Sequence, residues 1–169
     1  MRTSGLGEQL LNTKFRIVGL GGTFDELHKG HRVLLKKAFV IGVHVQIGLC
    51  TDEFARKLRK NHEIAPYKER KKELEDFLKE TKVLGRAEII PIANFFGPAA
   101  TDNSIEAIVV SRETEPAAQA INVKRKENGL QALKIIVIDM VPAENHVSIS
   151  TTRIRYGEID REGQLIEKK

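Results

Sequence analysis

His28 and His31 stand three positions apart, directly after the glycine-rich turn Gly19-Leu20-Gly21-Gly22-Thr23-Phe24-Asp25. Imidazole can donate a hydrogen bond to an anionic oxygen near neutral pH without carrying a fixed charge. A spacing of three puts both rings on one face of a helix. Glycine lets backbone come close to a ligand, and the first turn of a helix offers N–H groups and a positive dipole end to a phosphate. The expected ligand is therefore a phosphate, held by Gly21, Gly22, Thr23, Phe24 and Asp25 with the histidine pair above it. Asp25 is read as bonding the backbone of its own loop. The pair is not read as a metal site, because no Cys-x-x-Cys and no third ligand at metal spacing accompanies it. The turn is neither the GxxxxGK[ST] loop nor the GxGxxG fingerprint.

A second cluster lies far along the chain at Ser148-Ile149-Ser150-Thr151-Thr152-Arg153-Ile154-Arg155. Ser and Thr cap helix starts and offer hydroxyl and N–H donors to phosphate. Arg153 and Arg155 add charge, and arginine grips phosphate with two N–H bonds. The basic run Arg56-Lys57-Leu58-Arg59-Lys60 and Arg112 supply further cations. Such a run also suits a solvated face, and Arg112 equally suits a surface ion pair with Glu113 or Glu115.

The elements that must position these groups alternate between strand and helix. Residues 15–20, 43–49, 88–92, 107–111 and 134–140 read as strands. Residues 29–40, 68–84 and 116–128 read as helices, Gly129 ends the last of them, and Ser150 opens a terminal helical stretch. Residues 97–103 read as a loop inside the domain. Alternation of this kind predicts a single-domain α/β fold: a doubly wound, Rossmann-like, five-stranded, mainly parallel sheet with helices on both faces. Residues 1–13 read as a loose arm. In such sheets ligands bind beyond the carboxyl ends of the strands, and with the first strand ending at Leu20 both clusters fall at that rim.

At 169 residues the chain suits one domain with a core of its own. The net charge of +5 and pI near 9.3 favour anionic partners: nucleotides, phosphorylated metabolites or nucleic acid. Aromatics at 5% and the lack of Trp supply a base-stacking surface poorly, so nucleic acid is disfavoured. The single cysteine, Cys50, excludes an internal disulfide and fits a reducing compartment; it reads as a small buried residue at a strand end. The first fifteen residues lack the apolar core of a signal peptide. The apolar stretch from Ala38 to Leu49 is interrupted by His44 and Gln46 and is too short to span a bilayer. The expectation is a soluble cytoplasmic protein with no membrane partner.

Thr23-Phe24-Asp25 followed by His28-Lys29-Gly30-His31 resembles the HxGH signature of the nucleotidyltransferase superfamily, which class I aminoacyl-tRNA synthetases share. The segment from Ser148 to Arg155 resembles that superfamily's second, Ser/Thr-rich signature. Between them, Asp52-Glu53-Phe54, Pro66-Tyr67-Lys68-Glu69-Arg70, Gly97-Pro98, Thr101-Asp102, Ile108-Val109-Val110-Ser111-Arg112-Glu113-Thr114 and Ala120-Ile121-Asn122 resemble the archaeal and eukaryotic type of phosphopantetheine adenylyltransferase. The resemblance runs from about Phe15 to about Arg155.

It implies transfer of AMP from ATP to 4′-phosphopantetheine, giving dephospho-coenzyme A and pyrophosphate, with Mg²⁺ carried mainly by ATP oxygens. It also implies site roles. His28 and His31 would act at the α-phosphate, and Thr23 on either the acceptor phosphate or the α-phosphate. Lys57 or Lys60, with Lys57 preferred, would bridge acceptor and nucleotide phosphates. Ser150, Thr151, Thr152 and Arg153 would hold the leaving pyrophosphate, and Arg112 would meet the nucleotide or the acceptor phosphate. Two other readings stay open: a transferase acting on nicotinamide mononucleotide, glycerol phosphate or choline phosphate, and a non-catalytic nucleic-acid-binding module.

Overall fold

The computed structural model describes residues 14–58 and 62–167. The proposed N-terminal arm and Lys60 lie outside the described residues. Strand β1 (Phe15–Gly22) leads into helix α1 (Lys29–Ile41), then β2 (Gly42–Cys50), α2 (Asp52–Lys57) and α3 (Tyr67–Glu80). A 3₁₀ turn (Leu84–Arg86) precedes β3 (Ala87–Ile92), and a second (Pro98–Ala100) precedes β4 (Ala107–Ser111). Helix α4 (Glu115–Glu127), β5 (Lys134–Ile138) and α5 (Thr151–Arg155) complete the order. The five strands form one sheet in the order β3-β2-β1-β4-β5, and every pairing is parallel.

Side chains alternate across a strand, and the two faces bury two different cores. On one, Val18, Leu20, Val45, Ile47, Leu49, Ala107 and Val109 meet Leu35 and Ala38 of α1 and Leu74 and Leu78 of α3. On the other, Ile105, Ile108 and Val110 meet Ala118 and Ile121 of α4. Each Val, Leu or Ile among them contributes about 1.5–3 kcal/mol of burial. The sheet is thus doubly wound, as the alternation predicts. Strand β1 lies between β2 and β4, so the chain leaves it in opposite directions and opens a crevice at its carboxyl end. The α1–β2 junction has no loop at all. A Cβ at Gly42 would lie 2.6 Å from the Val18 side chain, and the Gly42 N–H donates to the Ala38 carbonyl.

Three boundaries differ from the sequence reading by two residues or more. Strand β1 runs on to Gly22 rather than ending at Leu20, because Gly21 and Gly22 pair with Gly48 and Leu49. The helix read through Leu84 stops at Glu80, since Lys82 takes a left-handed φ of 58°. Strand β5 ends at Ile138 rather than Met140. Helix α2 was not anticipated. The Thr51 hydroxyl caps it by accepting from the Phe54 N–H, with Asp52 and Glu53 in its first turn.

Candidate active site

His28 is the N-cap of α1 and His31 its third residue. His28 Nδ1 accepts from the N–H groups of Gly30 (3.1 Å) and His31 (3.4 Å), and His31 Nδ1 accepts from the His28 N–H (3.3 Å). The Lys29 N–H donates to the Arg161 carbonyl at 2.9 Å. The first-turn N–H groups, expected to face a phosphate, are therefore occupied already. A helix start leaves its first donors unpaired, and the imidazoles are near enough to take them. This changes the chemistry on offer. A neutral ring that accepts at Nδ1 carries its proton on Nε2, so the His28 ring presents an Nε2–H donor in place of the backbone donors it occupies. The rings stack with centroids 3.7 Å apart at 19°, and Phe24 packs against His31 at 5.3 Å.

The His28 pKa is pushed down to about 4, first by burial and then by the charges of Arg32 and Arg161, against a smaller opposing pull from Asp25. The ring is neutral at pH 7. Its folded pKa lies below the unfolded value of 6.5, so its share of stability is complete above pH 6.5 and is lost as pH falls from there towards 4. We expect roughly 3 kcal/mol of pH-dependent loss over that window, measurable by urea denaturation at successive pH values. A His28→Asn variant should flatten the curve.

The two motifs meet at Asp25. Its carboxylate, 1% exposed, accepts from the Ala65 N–H (3.0 Å) and from Arg155 through Nη2 (2.9 Å) and Nε (3.2 Å). The Thr151 hydroxyl donates to the Asp25 carbonyl at 3.0 Å. Asp25 was expected to bond within its own loop; a carboxylate buried this deeply takes its partners from chain elements packed over it. Arg70, also 1% exposed, donates to the carbonyls of Ala65 (2.7 Å) and Thr23 (2.8 Å) and to Asp52 (2.9 Å). This clamp holds Phe24 and Glu26 at φ of 49° and 54°, a backbone region that costs non-glycine residues about 1–3 kcal/mol each.

A cleft of about 580 Å³ opens over the clamp. Gly21, Gly22, Thr23, Phe24, Asp25, His28, His31, Ser150, Thr151 and Thr152 all line it. Three candidates do not. Lys57 Nζ is exposed and pairs with Glu53 at 2.7 Å. Arg112 pairs with Asp139 at 2.7 Å rather than with Glu113 or Glu115. Arg153 is tied to Glu158, to the carbonyls of Val147 and Ser148, and to Asn145. Phe24 and Asp25 reach the cleft only as largely buried groups. Sequence reasoning named Arg70 only as part of a family-like segment, with no role, and gave Arg155 no more than a general charge.

Residues 20–157 match the family model for cytidylyltransferase-like proteins. The chain is 45% identical over 158 residues to a phosphopantetheine adenylyltransferase of Methanothermobacter thermautotrophicus, covering 94% of each chain. It is 43% identical over 156 residues to a phosphopantetheine adenylyltransferase of Pyrococcus abyssi, covering 92% of this chain and 99% of that one. The chain belongs to the phosphopantetheine adenylyltransferase branch of the cytidylyltransferase-like family. A solved Archaeoglobus fulgidus protein of unknown function shares the fold with a TM-score of 0.66 at 31% identity, covering 79% of this chain and 98% of that one.

The contacts around Gly30 explain the glycine inside the His motif of this cytidylyltransferase-like chain. A Cβ there would lie 2.9 and 3.0 Å from Cε1 and Nδ1 of His28, so a side chain would push the cap ring away. Gly30→Ala should lower kcat at least about tenfold, since small misplacements of a reacting group are costly. Its stability should change by less than about 1 kcal/mol, because alanine's gain in helix propensity opposes the weakened cap. Rate assays and thermal melts of one preparation check both halves. Among the described residues, no helix is long and apolar enough to cross a membrane.

Proposed function

We propose that the protein transfers the adenylyl group of ATP to 4′-phosphopantetheine, giving dephospho-coenzyme A and pyrophosphate. The observation that carries the reading is the shared cleft. The imidazole pair of one motif and the Ser/Thr turn of the other line it together, clasped through Asp25, in a chain whose relatives bear that name.

An oxygen of the acceptor phosphate attacks the α-phosphorus, the bond from that phosphorus to the bridging oxygen breaks, and pyrophosphate leaves. The nucleophile arrives already ionised, so the protein needs no covalent intermediate and no strong base. Its work is alignment and charge stabilisation. His28 and His31 donate through Nε2–H to the α-phosphate oxygens, where charge grows in the transition state. The neutral His28 ring suits this step, because it neither needs nor releases a proton.

Thr23 faces the acceptor or the α-phosphate. Ser150 and Thr152 face the leaving pyrophosphate, and Thr151 aligns the two motifs through the Asp25 carbonyl. Lys57 and Arg112 sit in exposed ion pairs that solvent screens, so either side chain can exchange its carboxylate for a substrate phosphate. Arg153 anchors residues 145–148 instead. Mg²⁺ brought by the nucleotide would supply charge neutralisation at the phosphates. Among the described residues no three His, Cys, Asp or Glu side chains gather into a metal-binding group, and Mg²⁺ usually needs few protein ligands. Water-soluble substrates and the single thiol suit the cytoplasm.

The test measures pyrophosphate released from ATP or CTP with 4′-phosphopantetheine, nicotinamide mononucleotide, glycerol phosphate or choline phosphate as acceptor. Release should require ATP with 4′-phosphopantetheine, and the product should have the mass of dephospho-coenzyme A. Release with another pair, or salt-sensitive oligonucleotide binding with no release at all, overturns the reading.

A further inference from the structure

The cleft has a second limb that the phosphate chemistry leaves unused. Gly19, Gln46 and Gly48 line it, and strand alternation places them on the sheet face opposite Val18, Leu20, Val45 and Ile47. The neighbouring walls are apolar, from Phe54, Ile64, Ile90 and Ile92. Two polar atoms interrupt them. Gln46 Oε1 and His62 Nε2 are buried and have no hydrogen-bond partner among the described residues.

Both atoms are hydrogen-bond acceptors. Gln46 Nε2 lies 3.3 Å from Glu88 Oε2 and 3.4 Å from Asp102 Oδ2. Carboxylates only accept, so the amide nitrogen must face them and Oε1 must face away. His62 Nδ1 lies 2.9 Å from the Glu63 carbonyl, which also only accepts. In the neutral ring the proton therefore sits on Nδ1, and Nε2 is a bare acceptor. Buried acceptors without a donor are rare and unfavourable. Two of them lining one apolar limb call for two donors from a ligand.

We infer that Gln46 Oε1 and His62 Nε2 accept the two amide N–H groups of the pantetheine arm. The inference rests on the proposed function and deepens it, for it makes the two residues the readers of the acceptor. The spacing agrees. His62 is three residues from Ala65, whose N–H is fixed on Asp25, so it lies within about 10 Å of the phosphate turn. Gln46 pairs with Gly19, four residues below Thr23, or about 13 Å at 3.3 Å per residue. In an extended 4′-phosphopantetheine the amide nitrogens are six and ten bonds from phosphorus. At about 1.2 Å per bond they lie roughly 7 and 12 Å away. The near amide falls to His62 and the far one to Gln46.

Steady-state kinetics on the full chain test this, using 4′-phosphopantetheine and two analogues in which one amide N–H is replaced by an ester oxygen. Gln46→Leu should raise the acceptor KM about tenfold, the value of one hydrogen bond near 1.4 kcal/mol, with kcat and the KM for ATP unchanged. His62→Phe should do the same, and His62→Gln should recover most of the loss. Against the far-ester analogue, Gln46→Leu and wild type should be alike; against the near-ester analogue, His62→Phe and wild type should be alike. Unchanged acceptor KM in both variants, or a loss that persists against the matching ester, overturns the inference while leaving the proposed function standing. A wild type that releases no pyrophosphate with 4′-phosphopantetheine defeats both. If Gln46→Leu does not fold, the wild type still decides: equal KM for the far-ester analogue and the natural acceptor overturns the role of Gln46.

Discussion

His28→Asn is expected to lower turnover at least about a hundredfold while keeping folding stability at pH 7 within about 1 kcal/mol of wild type. His28 does two things that this substitution separates. Its Nδ1 caps α1 by accepting from the Gly30 and His31 N–H groups. Its Nε2–H is the donor assigned to the α-phosphate. Asparagine is among the best N-cap residues, and its Oδ1 can take over both backbone donors. Its side chain ends too early to reach where Nε2 stood. His31→Ala should lose at least as much turnover, again with the fold intact, but it also removes the acceptor for the His28 N–H. The asparagine variant is therefore the cleaner experiment. Saturating kcat and urea denaturation on one preparation are the measurements. Should the Asn variant keep more than a tenth of wild-type turnover, the ring is only a cap and the chemistry belongs elsewhere.

The sheet was legible because buried parallel strands read as short apolar runs, as in Ala107–Ser111, or as apolar alternation, as in Val45, Ile47 and Leu49. The pairing of the two motifs was legible because each falls at a strand or helix end on the same rim. What the first turn of α1 does with its donors was not. Histidine is not a preferred cap, so nothing in the spacing says that Nδ1 would occupy the N–H groups a phosphate was expected to take.

The arginines of the last helix were hard to sort for a different reason. Helix α5 spans only Thr151–Arg155, so periodicity cannot say which cation turns inward, and Arg155 rather than Arg153 holds Asp25. Helix α2 carried a readable signal in Thr51-Asp52-Glu53, a cap followed by acidic first-turn residues. The basic residues after it drew the reading towards a charged face instead.

Arg70→Met is expected to destabilise the protein by about 2–4 kcal/mol, lowering its melting point by about 2–4 °C per kcal/mol, and to cut turnover at least about tenfold. The size follows from which partners are left behind. Asp52 is half exposed and finds water once the guanidinium is gone, so the lost ion pair adds little. The carbonyls of Thr23 and Ala65 lie beneath the side chain and lose their donors outright, at about 1–3 kcal/mol each. Methionine fills much of the volume and removes a buried charge, which offsets part of that.

Turnover falls because the same two carbonyls fix the turn carrying Thr23 and the segment whose Ala65 N–H holds Asp25. Arg70→Lys, which keeps the charge but only a point donor, should lie between methionine and wild type in both measurements. Arg70 shares the i, i+4, i+8 stripe of Leu74 and Leu78 on α3, so a cation in an apolar row was the sequence's signal that it answers to backbone rather than to solvent. The two substitutions thus make opposite demands. Asparagine at 28 should remove rate and spare stability, whereas methionine at 70 should remove both. A methionine variant as stable and active as wild type would mean that the turn holds its left-handed residues without the clamp.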